Sequence, residues 1–221
     1  MFRIKICGIT SSTDAHIAAD AGADAIGLNF FRKSRRFVEP EIARTIVTTL
    51  PASVVKVGVF VNHSATEIEE ITTHVGLDAI QLHGDEPPQL VAQLPSHLRI
   101  IRAHRCGKDG LAPLAQFLVD ARANGRAPDA VLVDADAGAE FGGTGHVADW
   151  SRITSERGLL DGLPLILAGG LKPENVNAAI ATVRPNGVDV ASGVEREPGS
   201  KDQKLVAQFI AIAMRANLCV E

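Results

Sequence analysis

Short runs rich in Val, Ile and Leu recur along the chain of 221 residues, separated by longer stretches whose apolar positions follow a helical period. The short runs occupy residues 3–7, 24–29, 54–61, 78–82, 98–103, 129–134, 163–168 and 188–191. Near-continuous apolar runs of this length mark strands covered on both faces, which favours a parallel sheet. The helical stretches occupy residues 12–21, 39–50, 65–75, 88–94, 111–123, 147–156, 173–182 and 201–216. Their ends carry capping chemistry: Ser, Thr and Asp open the first, Pro40 sits in the first turn of the second, and Ser64 and Gly76 bracket the third. Eight βα units of about 28 residues each, with no linker between them, predict one α/β domain over residues 1–221, a single (β/α)8 TIM barrel. An open doubly wound sheet is the alternative if one or two strands are miscounted.

Composition narrows the class. Apolar residues make up 46% and charged residues 22%, and 20 Gly and 11 Pro are scattered, which excludes disorder and low-complexity structure. No apolar run is long enough to cross a membrane, and the first residues lack the pattern of a signal peptide. A formal charge of -4 argues against a nucleic-acid backbone as partner. Cys7, Cys106 and Cys219 are far apart and show neither metal-ligand spacing nor a disulfide framework, so no metal is expected and the cytoplasm is the simplest compartment.

In a barrel, chemistry sits at the C-terminal ends of the strands. Three glycine turns follow the last three strands: 141–145 (FGGTG), 168–171 (AGGL) and 191–195 (ASGVE). Glycine lets backbone amides approach an anion, and the loops after strands seven and eight commonly hold phosphate. Gly143, Thr144, Gly145, Gly169, Gly170, Ser192 and Gly193 are therefore candidate phosphate contacts; tight turning alone is the alternative, and two such turns at the usual phosphate strands favour phosphate over it. If Ile4 and Ile6 face the helices, the two-residue alternation turns Arg3, Lys5 and Cys7 inward. Cys7 then ends strand one as an acid, base or nucleophile, or as a small buried hydrophobe. Asp134 ends strand six facing inward, as a general acid or a loop cap. The same alternation places Asp189 inside strand eight, next to strand one in a closed barrel, so Lys5 and Asp189 are expected to pair there. Lys5 could then bias Cys7 toward thiolate. Four of the five residues 32–36 are basic, and Arg36 is the choice for a carboxylate clamp. His83 reads as a structural histidine before a proton shuttle, and Asp109 and Asp202 as helix-start residues.

As a set, KICGIT (5–10), SRR (34–36), VGVFVN (57–62), QLHG (81–84), VLVD (131–134), FGGTG (141–145) with Asp149-Trp150 after it, LAGGL (167–171) and GVDVASGVE (187–195) resemble the phosphoribosylanthranilate isomerase family of tryptophan biosynthesis. The resemblance runs from the first strand to the last helix. It implies a (β/α)8 enzyme without a cofactor, acting on a small anionic phosphosugar as monomer or homodimer. The implied reaction is an Amadori rearrangement of N-(5-phosphoribosyl)anthranilate to 1-(2-carboxyphenylamino)-1-deoxyribulose 5-phosphate. It puts the general base on Cys7, the general acid on Asp134 and the anthranilate carboxylate contact on Arg36. Arg35 stands where the family has proline, which makes it a competitor of Arg36, and Arg102 stands where lysine is frequent. Two other functions compete. A histidine-pathway phosphosugar isomerase would be expected to carry a carboxylate base on strand one, where this chain has Cys7. A non-catalytic phosphate-metabolite binder would need neither Cys7 nor Asp134.

Overall fold

The computed structural model describes residues 2–135 and 150–216. In chain order it contains β1 (Ile4–Cys7), α1 (Ser12–Asp20), β2 (Ala25–Asn29), α2 (Pro40–Thr48), β3 (Val55–Phe60), α3 (Ala65–Val75), β4 (Ala79–Leu82) and α4 (Leu90–Gln93). It continues with β5 (Arg99–Arg105), α5 (Ala112–Ala123), β6 (Ala130–Asp134), α6 (Trp150–Glu156), β7 (Leu165–Ala168), α7 (Val176–Val183), β8 (Gly187–Val190), β9 (Glu195–Glu197), β10 (Ser200–Lys201) and α8 (Gln203–Arg215). Strands β1 to β8 pair in parallel and close into a barrel, with β1 beside β8. The open sheet is thereby set aside.

Alternation along each strand separates two apolar layers. Ile4, Ile6, Ile26, Leu28, Val131, Val133, Leu165 and Leu167 face outward and pack under the helices. Ala25, Val57, Ala79, Ile101, Ala103, Ala130, Leu132, Ile166 and Ala168 fill the barrel interior, with Phe2 joining them. Small alanines between branched residues suit a narrow barrel packed without voids. Inside the same barrel the fully buried Lys5 meets the buried Gln81 and Asp189. Gly27 supplies the space for this polar layer: a Cβ there would stand 2.6 Å from Cys7 Sγ and 3.0 Å from Lys5 Cε.

Helix ends follow their caps. Ser64 and Glu67 form a reciprocal capping box on α3, and Gly76 ends it in the left-handed region at φ 80°. Asp202 accepts from the amides of Lys204 and Leu205 and so starts α8 as expected. Asp109 does not cap: α5 begins after Leu111 with no side-chain cap. Arg3 does not join the inward row; it precedes β1 and lies exposed, 3.9 Å from Asp24. The helix expected from residue 201 starts two residues later, because Glu195–Glu197 and Ser200–Lys201 form a small antiparallel hairpin turned by Gly199 at φ 87°. That hairpin, invisible in the apolar pattern, buries Lys201 completely. The glycine turn with Gly143, Thr144 and Gly145 lies outside the described residues, as does Cys219. Among the described residues no helix is long and apolar enough to cross a membrane.

Candidate active site

The mouth of the barrel gathers the inward side chains at the strand ends. Lys5 and Asp189 are direct register partners across β1 and β8, which brings Nζ to 3.1 Å from Oδ2. The ammonium also donates to Gln81 Oε1 at 2.9 Å. Burial pulls the Lys5 pKa down, but Asp189 and Cys7 more than offset this and leave it raised. Cys7, one inward step beyond Lys5, is partly exposed at the end of β1. Burial pushes its thiol up; Lys5 and Lys201 oppose this, and Asp189 reinforces it. The bias toward thiolate expected from Lys5 is present, but in the substrate-free protein burial outweighs it, and Asp189 adds to the effect of burial. A thiol held above its ordinary range is almost wholly protonated at pH 7. Alkylation of Cys7 by iodoacetamide, followed by mass on the Cys7 peptide, should accordingly be slow at pH 7 and rise about tenfold per pH unit toward pH 9. A rate already at its plateau at pH 7 would mean a resting thiolate.

The basic loop after β2 reaches back over β1. Gly8 adopts φ +75°, and a Cβ on it would collide with Arg36 Cδ, so the arginine stem lies directly on the backbone beyond Cys7. The guanidinium grips Glu195 through Nε (2.8 Å to Oε1) and Nη2 (2.7 Å to Oε2). Glu195 also accepts from Lys201 Nζ at 2.8 Å, and Lys201 donates to the Ala191 carbonyl at 3.2 Å. Burial acts to raise the Glu195 pKa, but Arg36 and Lys201 hold it below the usual carboxylate range. This bidentate pair uses the Nε edge of Arg36 and leaves its Nη1/Nη2 end for a second carboxylate. Arg35, by contrast, is exposed. Arg102 pairs with buried Glu86 at 2.6 Å and stacks over Phe117.

Glu195 and Lys201 were missed as site residues in the sequence. The signal was an acid at the end of GVDVASGVE facing a loop of four basic residues, but no period links the two. Glu195→Gln keeps the shape and removes the charge that orients Arg36. It should raise KM about 5–30-fold with kcat changed far less, an effect of about 1–2 kcal/mol, read by steady-state kinetics.

Asp134 ends β6 beside β7, partly exposed, with its Oδ2 3.9 Å from His83 Nε2. Past β7, Gly169 and Gly170 take φ of 87° and 60°, a turn that side chains would strain. Among the described residues their amides donate to no other group. Asn175 fixes this turn by donating to the Gly170 carbonyl at 2.9 Å and accepting from the Lys172 amide at 2.8 Å. After β8, a Cβ on Gly193 would collide with the Leu171 carbonyl, so the two loops touch backbone to backbone. Ser192, beside it, is exposed. The structure thus brings Cys7, Asp134, Arg36, Gly169, Gly170, Ser192 and Gly193 to one end of the barrel. A groove of about 610 Å3 between α1 and α8, lined by Ser12, His16 and Gln203, carries none of them.

A family model described as N-(5'phosphoribosyl)anthranilate (PRA) isomerase matches residues 4–212. The chain belongs to the N-(5'-phosphoribosyl)anthranilate isomerase family. A Thermotoga neapolitana protein of that name is 43% identical over 210 residues, covering 95% of this chain and 97% of its own. The crystal structure of the phosphoribosyl anthranilate isomerase of Thermotoga maritima aligns with a TM-score of 0.87 at 39% identity, covering 97% of this chain and 100% of that one. A structure of such an isomerase in complex with reduced 1-(o-carboxyphenylamino)-1-deoxyribulose 5-phosphate aligns with a TM-score of 0.83 at 38% identity, over 97% and 100% of the two chains. The protein is thus an isomerase of tryptophan biosynthesis, and the family's reaction is the isomerisation of N-(5'-phosphoribosyl)anthranilate.

Proposed function

We propose that this family member performs the Amadori rearrangement with Cys7 as general base and Asp134 as general acid, on one substrate anchored by its phosphate at Gly169, Gly170, Ser192 and Gly193 and by its carboxylate at Arg36. Gly143, Thr144 and Gly145 would complete the phosphate cradle. The observation that carries this reading is the convergence of a thiol and a carboxyl, both on inward strand ends, at a mouth whose loops offer an arginine fork and the amides of Gly169 and Gly170, which donate to no group among the described residues. Holding both ends of the substrate orients the carbons between them.

Asp134 gives its proton to the furanose oxygen. The C1'–O bond breaks, and the nitrogen lone pair forms a protonated imine. The Cys7 thiol releases its proton to solvent beside the cationic imine, and the thiolate takes the C2' proton as the electron pair moves to neutralise the iminium as an enolamine. Tautomerisation to the ketone moves one proton from the C2' hydroxyl to C1', and exchange with solvent restores both side chains. The raised thiol suits this order. A cationic imine beside Cys7 favours its thiolate at the step where a base is required, and an uncommitted thiolate is avoided before it. Around Cys7, three cations (Lys5, Arg36, Lys201) face two carboxylates (Asp189, Glu195), a surplus of one positive charge. By the same reading the enzyme works in the cytoplasm, as monomer or homodimer, without nucleic acid or membrane.

The test is turnover of freshly generated phosphoribosylanthranilate, followed by loss of its anthranilate-type fluorescence. The reading expects enzyme-dependent decay and accumulation of the ketose phosphate. Decay at the uncatalysed rate, or turnover of the histidine-pathway substrate alone, would overturn it.

A further inference from the structure

A chain of polar side chains, buried at Asp189, Lys5 and Gln81 and partly exposed at His83 and Asp134, crosses the barrel from β8 through β1 and β4 toward the end of β6. Asp189 accepts from Lys5 Nζ at 3.1 Å, and Lys5 Nζ donates to Gln81 Oε1 at 2.9 Å. The other end of the Gln81 amide, Nε2, lies 2.8 Å from His83 Nδ1. His83 Nε2 in turn faces Asp134 Oδ2 at 3.9 Å.

The direction of this chain is fixed by what each group can do. An ammonium has donors only, so the oxygen of Gln81 must face Lys5. The amide nitrogen left over also has donors only, so His83 Nδ1 must offer its lone pair. Burial, together with Arg105, Lys5 and Arg102, holds the His83 pKa at about 3, so the ring is neutral at working pH. A neutral imidazole that accepts at Nδ1 carries its proton on Nε2. The ring is also held from behind. The His83 amide donates to the Phe60 carbonyl at 2.9 Å, and Glu86 ties the amides of Asn62 and Gly84 to Arg102.

We propose that His83 is a positioning residue for Asp134, set by the Lys5–Gln81 chain as the Nε2–H tautomer so that this N–H orients the carboxyl and receives the negative charge left when its proton goes to the ring oxygen. No proton passes through His83; it stays neutral before and after the step. The opposite tautomer would turn a lone pair toward that carboxylate and repel it. At 3.9 Å the contact must shorten by about 1 Å to become a hydrogen bond, as catalytic contacts do when the substrate complex forms. The inference depends on the reading of Asp134 as general acid, and its test separates the two.

The tautomer is read directly in the wild-type protein by 15N NMR of its histidines, with His83 assigned by its disappearance in His83→Gln. The expected result at pH 7 is a protonated Nε2 and an unprotonated Nδ1. In Gln81→Glu a carboxylate replaces the amide donor, so Nδ1 should become the protonated nitrogen. Kinetically, His83→Leu should lower kcat about 10–100-fold with KM changed less than about twofold. His83→Gln, whose amide nitrogen can occupy the place of Nε2, should recover at least about a third of wild-type kcat. A wild-type His83 protonated at Nδ1 or on both nitrogens would overturn the proposal. So would a His83→Leu enzyme with kcat near that of wild type, or a His83→Gln enzyme no better than His83→Leu. Near-native turnover in Asp134→Asn would instead remove the acid itself, a result to which the tautomer measurement is indifferent.

Discussion

Cys7→Ser and Asp134→Asn should each lower kcat by about 10²–10⁴-fold, while the reduced product analogue binds both variants within about threefold of wild type. The asymmetry follows from what each group contributes. Serine keeps the size of cysteine, but its hydroxyl is far less acidic than a thiol, so it cannot become the base at neutral pH. Asparagine keeps the shape of aspartate and has no proton to give the ring oxygen. Neither substitution touches Arg36 or the turns at Gly169 and Gly193, to which the proposed function assigns the two ends of the substrate. Stopped-flow turnover and calorimetric titration of the analogue check the two halves separately. Near-wild-type rates in both variants would end the acid–base assignment.

Lys5→Met is expected to be the most destabilising single change in the site, by about 3–5 kcal/mol, because it strands a carboxylate rather than removing a contact. Lys5 is fully buried and Asp189 is 7% exposed. Asp189 Oδ1 has no partner among the described residues, so Lys5 is the group that compensates it. For a chain of this length the loss lowers Tm by about 6–20 °C. The double substitution Lys5→Met with Asp189→Leu removes both charges and should recover most of that stability. Chemical denaturation of the two variants and of Asp189→Leu completes the cycle. If Lys5→Met costs less than about 1 kcal/mol, the buried pair is not the constraint described here.

The parts of this site governed by a period were legible in the sequence. Strand alternation and barrel closure together brought Lys5 to Asp189 and turned Cys7 and Asp134 inward, since two-residue periodicity leaves no freedom once Ile4 and Ile6 face out. Glycine at 27 could have been read as space for the thiol only after the β1–β2 register paired it with Cys7. The Arg36–Glu195 fork joins loops 159 positions apart, and no local pattern encodes such a meeting. The sequence pattern puts Lys201 at the opening of a helix, beside the helix-start residue Asp202; the hairpin around Gly199 takes it instead and buries it against Glu195. The ionisation of Cys7 could not be read at all. It is a balance among burial, two lysines and an aspartate, and burial, which no local pattern measures, sets its sign.

The most direct measurement is a crystal structure of this protein with the reduced product analogue. Cys7 Sγ and the Asp134 carboxyl should both lie within about 3.5–4 Å of one ribulose chain. The phosphate should sit against the amides of Gly170 and Gly193, and the benzoate carboxylate on the Nη1/Nη2 end of Arg36. An analogue whose sugar touches only one of the two side chains, or whose phosphate lies away from those glycines, would contradict the account.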